Sequence, residues 1–458
     1  METLSAQDAL FLRVENLALP MHIASVGLYE GPRPPRDAIV AAVAGKLGAV
    51  PRYRQRIRFV PLELGQPVWV DDPDFRLDYH LRFTALPAPG SEAQLCTVAG
   101  RVLGQALDRE RPLWEMWVVE GLADGRWAVI AKTHHCVADG VAGTDLMSML
   151  HDDSAVAPPP PPVAWAPVPA PGTARLLAGA LGEGVSDGYA IGRDLVSAVR
   201  HPLRAADDLV AIGRQLGALA HPSPPTSLNG PVGTLRRWTL VRGDMTEVRA
   251  IREFFGTTVN DVLLAAIATG FRALLTARGE DVSEKVVRTL VPVSVRAHDE
   301  HGLLANRVSG LFPELPIGID DPVDRLVAIR EQMDARKRAR EAQGGTAIMS
   351  LGELTPSPLL SVGEHGAATL SQHTVQTVTT NVPGPRHTLY LAGRRLQELF
   401  PVVPLGPSVR IGIAILSYDH ALTFGITGDY DSAPDIDVLG AGIVDGIAEL
   451  GAASAVRG

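Results

Sequence analysis

Apolar positions recur along the chain at two periods, and each period predicts a different element. Ile39, Val43 and Leu47 stand four apart behind Asp37, predicting a helix with Asp37 as its N-cap. Trp127 to Thr133 is a compact, mostly apolar run after the turn Ala123-Asp124-Gly125, which predicts a buried strand. Val141 to Leu150 then turns helical, with Ala142, Leu146 and Leu150 on one face. Further on, a strand is expected near Arg237 to Val241, followed by a helix from Met245 to Phe254 that Gly256 stops. Thr258 and Asp261 have capping-box spacing, and the helix they open carries Leu263, Ile267, Phe271 and Leu274 on one stripe. Val286 to Val295 reads as a strand that Pro292 marks as an edge or bulge. Val375 to Thr380 alternates and ends in the breaker Asn381-Val382-Pro383-Gly384-Pro385. Val409 to Tyr418 and Leu422 to Thr427 predict a hairpin turning at Asp419-His420, and a last helix runs from Pro434 to Leu450. Helices and strands interleave throughout, so the expected class is mixed α/β or α+β.

Breakers divide this pattern. Ala157 to Pro171 includes five consecutive prolines, Pro158 to Pro162, which rules out a central strand or helix interior. A second cluster runs from His221 to Gly233. Between them, Thr173 to Ala220 reads as two helices interrupted near Gly182–Gly188 and His201-Pro202. The expected organisation is an N-terminal domain 1–157, a Pro-rich linker and helical connector 158–220, and a C-terminal domain 221–458. A length of 458 residues agrees, since single cores rarely grow past ~250–300 residues.

Composition narrows the function classes. With 46% apolar and 20% charged residues the chain can pack a core. The formal charge of −9 argues against a nucleic-acid partner, while leaving room for a local basic pocket. Cys96 and Cys136 match neither disulfide nor zinc spacing, which points to a reduced compartment. The N-terminus does not look like a signal peptide. The longest apolar candidate, Val262 to Leu275, is short and carries Arg272, so any membrane contact is expected to be peripheral.

The sharpest chemical feature is His134-His135-Cys136-Val137-Ala138-Asp139-Gly140, where a buried strand ends and a helix is about to begin. Neighbours on an extended backbone point in opposite directions, so one histidine is expected to be reactive and the other structural. A neutral imidazole can take the proton of an attacking alcohol, provided its other nitrogen is held. Asp139 stands close enough to brace the turn, and Gly140 lets it close tightly. Two plainer readings stay open: both histidines as structural groups, or a metal site. No third histidine or cysteine falls at ligand spacing. Cys136 reads as a small buried filler before it reads as a nucleophile.

At this motif the sequence resembles the bacterial wax ester synthase/acyl-CoA:diacylglycerol acyltransferase family, within the CoA-dependent acyltransferase superfamily. The resemblance spans nearly the whole chain. It rests on Leu4-Ser5-Ala6-Gln7-Asp8-Ala9-Leu10-Phe11-Leu12, Pro112-Leu113-Trp114-Glu115 and the HHxxxDG segment. It continues through Leu228-Asn229-Gly230 with Arg236-Arg237, Thr258-Val259-Asn260-Asp261 and Asn306-Arg307-Val308-Ser309. Asn381-Val382-Pro383-Gly384-Pro385 and Leu416-Ser417-Tyr418-Asp419 complete it. The resemblance implies two chloramphenicol-acetyltransferase-like domains with an active-site channel between them. It implies His135 as general base, His134 and Asp139 as shapers of the loop, and Asn260 as a site residue. A plainer role for Asn260 is cap or turn chemistry beside Thr258. One departure is His420, which stands where the family tends to show glycine; histidine tolerates positive φ better than most residues.

The reaction so implied is transfer of a long-chain acyl group from acyl-CoA to diacylglycerol or a long-chain alcohol. Acyl-CoA is a co-substrate, and no bound cofactor or metal is expected. The expected location is cytoplasmic, peripheral on the inner face of the plasma membrane or on lipid droplets. Two other readings compete: a carrier-protein-fed condensation-type enzyme, and a catalytically silent lipid-droplet protein with the same fold. Arg336-Lys337-Arg338-Ala339-Arg340 reads as an anionic-lipid or CoA-phosphate contact or as a solvated helix face. Leu177 to Val210 reads as a membrane-surface connector or as packing between domains. Trp114 reads as core.

Overall fold

The structure, a computed structural model, describes residues 2–138, 150–156, 160–161, 163–179, 225–294, 308–342 and 375–457. Its strands are β1 (Glu2–Thr3), β2 (His22–Tyr29), β3 (Gln55–Arg58), β4 (Val68–Asp71), β5 (Leu81–Ala85), β6 (Trp114–Glu120), β7 (Trp127–His134) and β8 (Arg236–Asp244). They continue as β9 (Val287–Ser294), β10 (Val308–Leu311), β11 (Glu314–Leu315), β12 (Thr377–Pro383), β13 (Tyr390–Leu391), β14 (Arg394–Val402), β15 (Ile411–Tyr418) and β16 (Ala421–Asp429). The helices are α1 (Ala6–Val14), α2 (Arg36–Lys46), α3 (Leu77–His80), α4 (Glu92–Gly104), α5 (Met245–Phe255), α6 (Val259–Ala277), α7 (Pro322–Ala342) and α8 (Ile436–Arg457). The class is mixed α/β, as expected.

One sheet has the order β13-β14-β2-β7-β6-β5, and a larger one the order β10-β9-β12-β15-β16-β8 with β11 against β9. The first explains why Trp127 to Thr133 reads as a mostly apolar run without polar alternation. Trp127 and Val129 face one core with Ile39, Val43 and Trp114, while Ala128 and Ile130 face another with Leu95, Ala99 and Val102 of α4. A strand covered on both faces loses its polar alternation.

The larger sheet packs on α6 and α8. The Thr258/Asp261 capping box forms as its spacing predicts, and α5 ends on a left-handed Gly256. Leu263, Ile267, Phe271 and Leu274 are buried, but so is most of α6 around them. α6 is long and apolar enough to cross a membrane, yet 72% of its most apolar stretch is buried inside the protein. Its composition is therefore accounted for by the core. It lies close against α8: a Cβ on Gly270 would stand 2.7 Å from the Leu439 carbonyl oxygen.

Several details correct the sequence reading. Asp37 is not the N-cap of α2; Pro35 is, and Asp37 sits in the first turn, where an acidic group suits the helix dipole. Asn381 to Pro383 do not end β12 but extend it, paired in parallel with Ile415 to Ser417 of β15. Parallel pairing with β9 stops at Leu290, so among the described residues Pro292 faces a partner on β10 alone, consistent with its edge signal. The hairpin turns at Asp419-His420, but the positive φ (53°) falls on Asp419 and not on His420.

The second half also contributes strands to the sheet of the first. β13 and β14 come from residues beyond 221, yet they complete the sheet of the first half, with Leu399 opposite Gly27. Arg242 of β8 forks onto Glu92 of α4 at 2.7 and 3.0 Å and onto Glu398 of β14 at 2.5 and 2.8 Å. Of the proline-rich linker and connector, residues 173–179 are helical; 157–159, 162 and 180–224 lie outside the described residues. Within the basic run, Lys337 and Arg338 are exposed, while Arg336 is half-buried with its pKa lowered by burial.

Candidate active site

The histidine pair sits where β7 ends. His134 is the last strand residue and is fully buried; His135 begins a short 3-10 turn, His135–Ala138. Its strand is fixed on both sides. The His134 N–H donates to the Leu113 carbonyl at 2.9 Å, and His22 lies opposite His134 on β2. The Pro112-Leu113-Trp114 segment thus borders the histidines directly. Trp114 itself is core: it stacks on Tyr53 at 4.4 Å and His80 at 4.7 Å and donates its indole N–H to the Tyr53 carbonyl at 2.8 Å.

The two histidines face different surroundings, as the strand geometry requires. Nδ1 of His134 accepts the Cys136 N–H at 3.2 Å and lies 2.9 Å from the Cys136 sulfur. That assigns the proton of neutral His134 to Nε2, which faces Glu15 Oε1 at 3.5 Å, a long electrostatic contact. The Cys136 thiol is buried, and burial beside Asp8 and Glu15 pushes its pKa well above the ordinary value. It is a filler and hydrogen-bond donor, held protonated at neutral pH.

His135 is held at its backbone and its ring face. Its N–H donates to the Met21 carbonyl at 2.9 Å. Phe11 of α1 stacks on its ring at 4.0 Å with a 24° interplanar angle. Nδ1 is buried without a hydrogen-bond partner among the described residues, while the residue as a whole is only partly buried. Nε2 is not among the buried nitrogens that lack a partner. Loss of hydration and the neighbouring His134 lower its pKa to about 4, so the imidazole is neutral at pH 7.

The reading of the sequence missed the residues that brace this pair. Glu15, buried at the end of α1, accepts the Met21 N–H at 3.0 Å and both Nε and Nη2 of Arg109, at 3.0 and 2.7 Å. Burial alone would raise its pKa. The contacts with His134, Arg109 and the Met21 amide outweigh that and hold it at about 2. The available signal was Asp8 and Glu15, seven residues apart and so on one face of a helix that also buries Leu12.

Asn260 occupies the second position of α6, half-buried. The cap role once open to it is filled by Thr258 and Asp261, and its side chain makes no hydrogen bond among the described residues. Asp139 and Gly140, the predicted helix from Val141 as far as Met149, and Asn306-Arg307 lie outside the described residues. Among those described, no group of three or more His, Cys, Asp or Glu side chains comes together to hold a metal ion.

Comparison with known proteins settles the family. The model of the wax ester synthase/diacylglycerol acyltransferase catalytic domain matches residues 4–263, and that of the WS/DGAT C-terminal domain matches 304–451. The chain belongs to the wax ester synthase/diacylglycerol acyltransferase family. It is an acyltransferase. A probable diacylglycerol O-acyltransferase of Mycobacterium tuberculosis is 36% identical over 100% of this chain and 97% of its own length. A putative diacylglycerol O-acyltransferase of the same organism is 34% identical over 99% of this chain and 92% of its own. Among solved structures, the wax ester synthase/diacylglycerol acyltransferase from Marinobacter aquaeolei VT8 superposes with a TM-score of 0.73 at 25% identity, covering 99% of this chain and 100% of that one. The starter condensation domain of rhizomide synthetase shares the fold, with a TM-score of 0.56 at 16% identity over 99% of this chain and 94% of its own.

Proposed function

We propose that this chain transfers a long-chain acyl group from acyl-CoA to the hydroxyl of diacylglycerol, and to long-chain alcohols, with His135 as general base. The observation that carries this is His135 at the end of β7, its ring stacked by Phe11, its backbone N–H held by Met21, and its imidazole neutral at pH 7. A neutral imidazole so placed removes the alcohol proton as the oxygen attacks the thioester carbonyl. The C–O bond forms, the tetrahedral intermediate collapses, and the C–S bond breaks. His135 then returns the proton to the CoA thiolate. Neither a metal nor an acyl-enzyme is needed to balance these steps.

Asn260 is the proposed donor to the developing oxyanion, since its amide is not used by the cap it sits in. Asp139 and His134 shape the turn that carries His135. Substrates meet in the channel between the halves. The apolar acceptor is reached from a membrane or lipid-droplet surface on the cytoplasmic side, with the protein bound peripherally. The names of the similar mycobacterial proteins favour diacylglycerol as acceptor.

The test is transfer of label from palmitoyl-CoA to diacylglycerol and to hexadecanol, with folded His135→Ala in parallel. Labelled neutral lipid from the native protein alone supports the reading. Equal product from both proteins removes His135 as base. Product only from an acyl carrier protein thioester moves the donor from CoA to a carrier.

A further inference from the structure

We infer that Glu15, braced by Arg109, is a positioning residue for His135; the inference rests on the general-base reading above. Glu15 reaches His135 by two routes, one from its carboxylate and one from its backbone. Through the backbone, Oε1 accepts the Met21 N–H at 3.0 Å, and the carbonyl of that same residue accepts the His135 N–H at 2.9 Å. Through the helix, Glu15 caps α1 with its N–H on the Phe11 carbonyl at 3.2 Å, and Phe11 is the residue stacked on the His135 ring. Oε1 also faces Nε2 of His134 at 3.5 Å, favouring the tautomer that leaves Nδ1 free to accept from the turn at Cys136.

Arg109 holds the carboxylate from behind with two N–H groups and donates to the Leu12 carbonyl at 2.7 Å. The Glu15 side chain is 5% exposed, whereas that of Arg109 is 38% exposed. The carboxylate is therefore shielded from water, while its guanidinium partner reaches solvent. Burying a carboxylate costs free energy that an apolar side chain would not. An apolar side chain could not orient an amide, an imidazole and a guanidinium together. Misplacing a catalytic group by about 1 Å costs up to about 10²-fold in rate, so a brace of this kind acts on turnover.

The test compares Glu15→Gln, Arg109→Lys and His135→Ala in the full chain. It measures kcat and KM for palmitoyl-CoA and diacylglycerol, with melting temperature alongside. Glu15→Gln is nearly isosteric but loses the charge that Arg109 clamps and that faces His134, so its oxygen is no longer held in place against the Met21 N–H, and the partly exposed Arg109 can be hydrated. The expected result is a folded protein with kcat lowered about 10²-fold and both KM values within about twofold of native. Arg109→Lys keeps the charge but loses the fork, and kcat is expected to fall in the same direction. Native kcat in both variants overturns the inference. So does a lowered melting temperature with unchanged kcat per folded molecule, which would make the pair a stability device only. If His135→Ala itself turns over at the native rate, the general-base reading has failed. If His135→Ala is inactive while Glu15→Gln is native, only the role of Glu15 has.

Discussion

The Tyr418 hydroxyl donates to the Leu396 carbonyl at 3.0 Å, joining the hairpin of the larger sheet to a strand of the smaller one. The same oxygen accepts the Leu389 N–H at 2.9 Å. Tyr418 is 2% exposed, and with Leu416 it packs in the core of the first half. The Leu416-Ser417-Tyr418-Asp419 segment is therefore a seam between halves. Tyr418→Phe should leave the Leu389 N–H without its partner and remove one donor from the Leu396 carbonyl, costing about 1–3 kcal/mol. The urea midpoint is expected to fall at unchanged slope. A native midpoint would show that this hydroxyl does not hold the seam.

A second seam contact is made by backbone alone. A Cβ on Gly425 of β16 would stand 1.7 Å from the Pro401 carbonyl oxygen of β14, too close for any side chain. Gly425→Ala should force the two strands apart, costing at least about 1–3 kcal/mol. Thermal unfolding is the measurement. An unchanged melting temperature would mean the sheets have slack that this contact does not suggest.

Why some of this was legible and some not follows from the range of each interaction. The Thr258/Asp261 cap lies within four residues, so its signal survives in the sequence. The apolar run of β7 is visible because both faces of the strand are covered. The crossing of β14 into the first sheet carries no local signal, because Leu399 and Gly27 meet only in the folded chain. Glu15 and Arg109 are 94 residues apart and read singly as ordinary surface charges; only the fold pairs them and buries the carboxylate. The histidine motif was legible as chemistry, but its division into a locked His134 and a partly buried His135 needed the partners of each ring.

Acid sensitivity follows from the same buried groups. Burial, then Lys132, lowers the His22 pKa from 6.5 to about 3; burial and His134 lower that of His135 to about 4. Below about pH 6.5 the unfolded chain takes up protons that these native histidines refuse, so stability falls as pH falls. Each contributes up to about 1.4 kcal/mol per pH unit, from 6.5 down to its folded value. Glu15, held at about 2 against 4.5, adds a loss with the same sign below pH 4.5. Urea unfolding at pH 7.5, 6 and 5 should show a declining free energy, with a shallower decline in His22→Gln. A flat profile between pH 7.5 and 5 would mean that both histidines protonate in the native state.

The start of α6 separates folding from catalysis within four residues. Thr258 Oγ1 accepts the Asp261 N–H at 3.2 Å, while the Asp261 carboxylate accepts the Thr258 N–H at 3.0 Å and the Thr257 hydroxyl at 2.8 Å. Thr258→Ala should therefore cost about 1 kcal/mol of stability and leave kcat near native. Asn260 contributes nothing to that cap. If its amide stabilises the oxyanion, Asn260→Ala should do the opposite, lowering kcat about 10²–10³-fold with little change in melting temperature. Measuring kcat and melting temperature for the two variants side by side decides between the roles. Native kcat in Asn260→Ala would remove the amide from the reaction and leave the oxyanion to another donor.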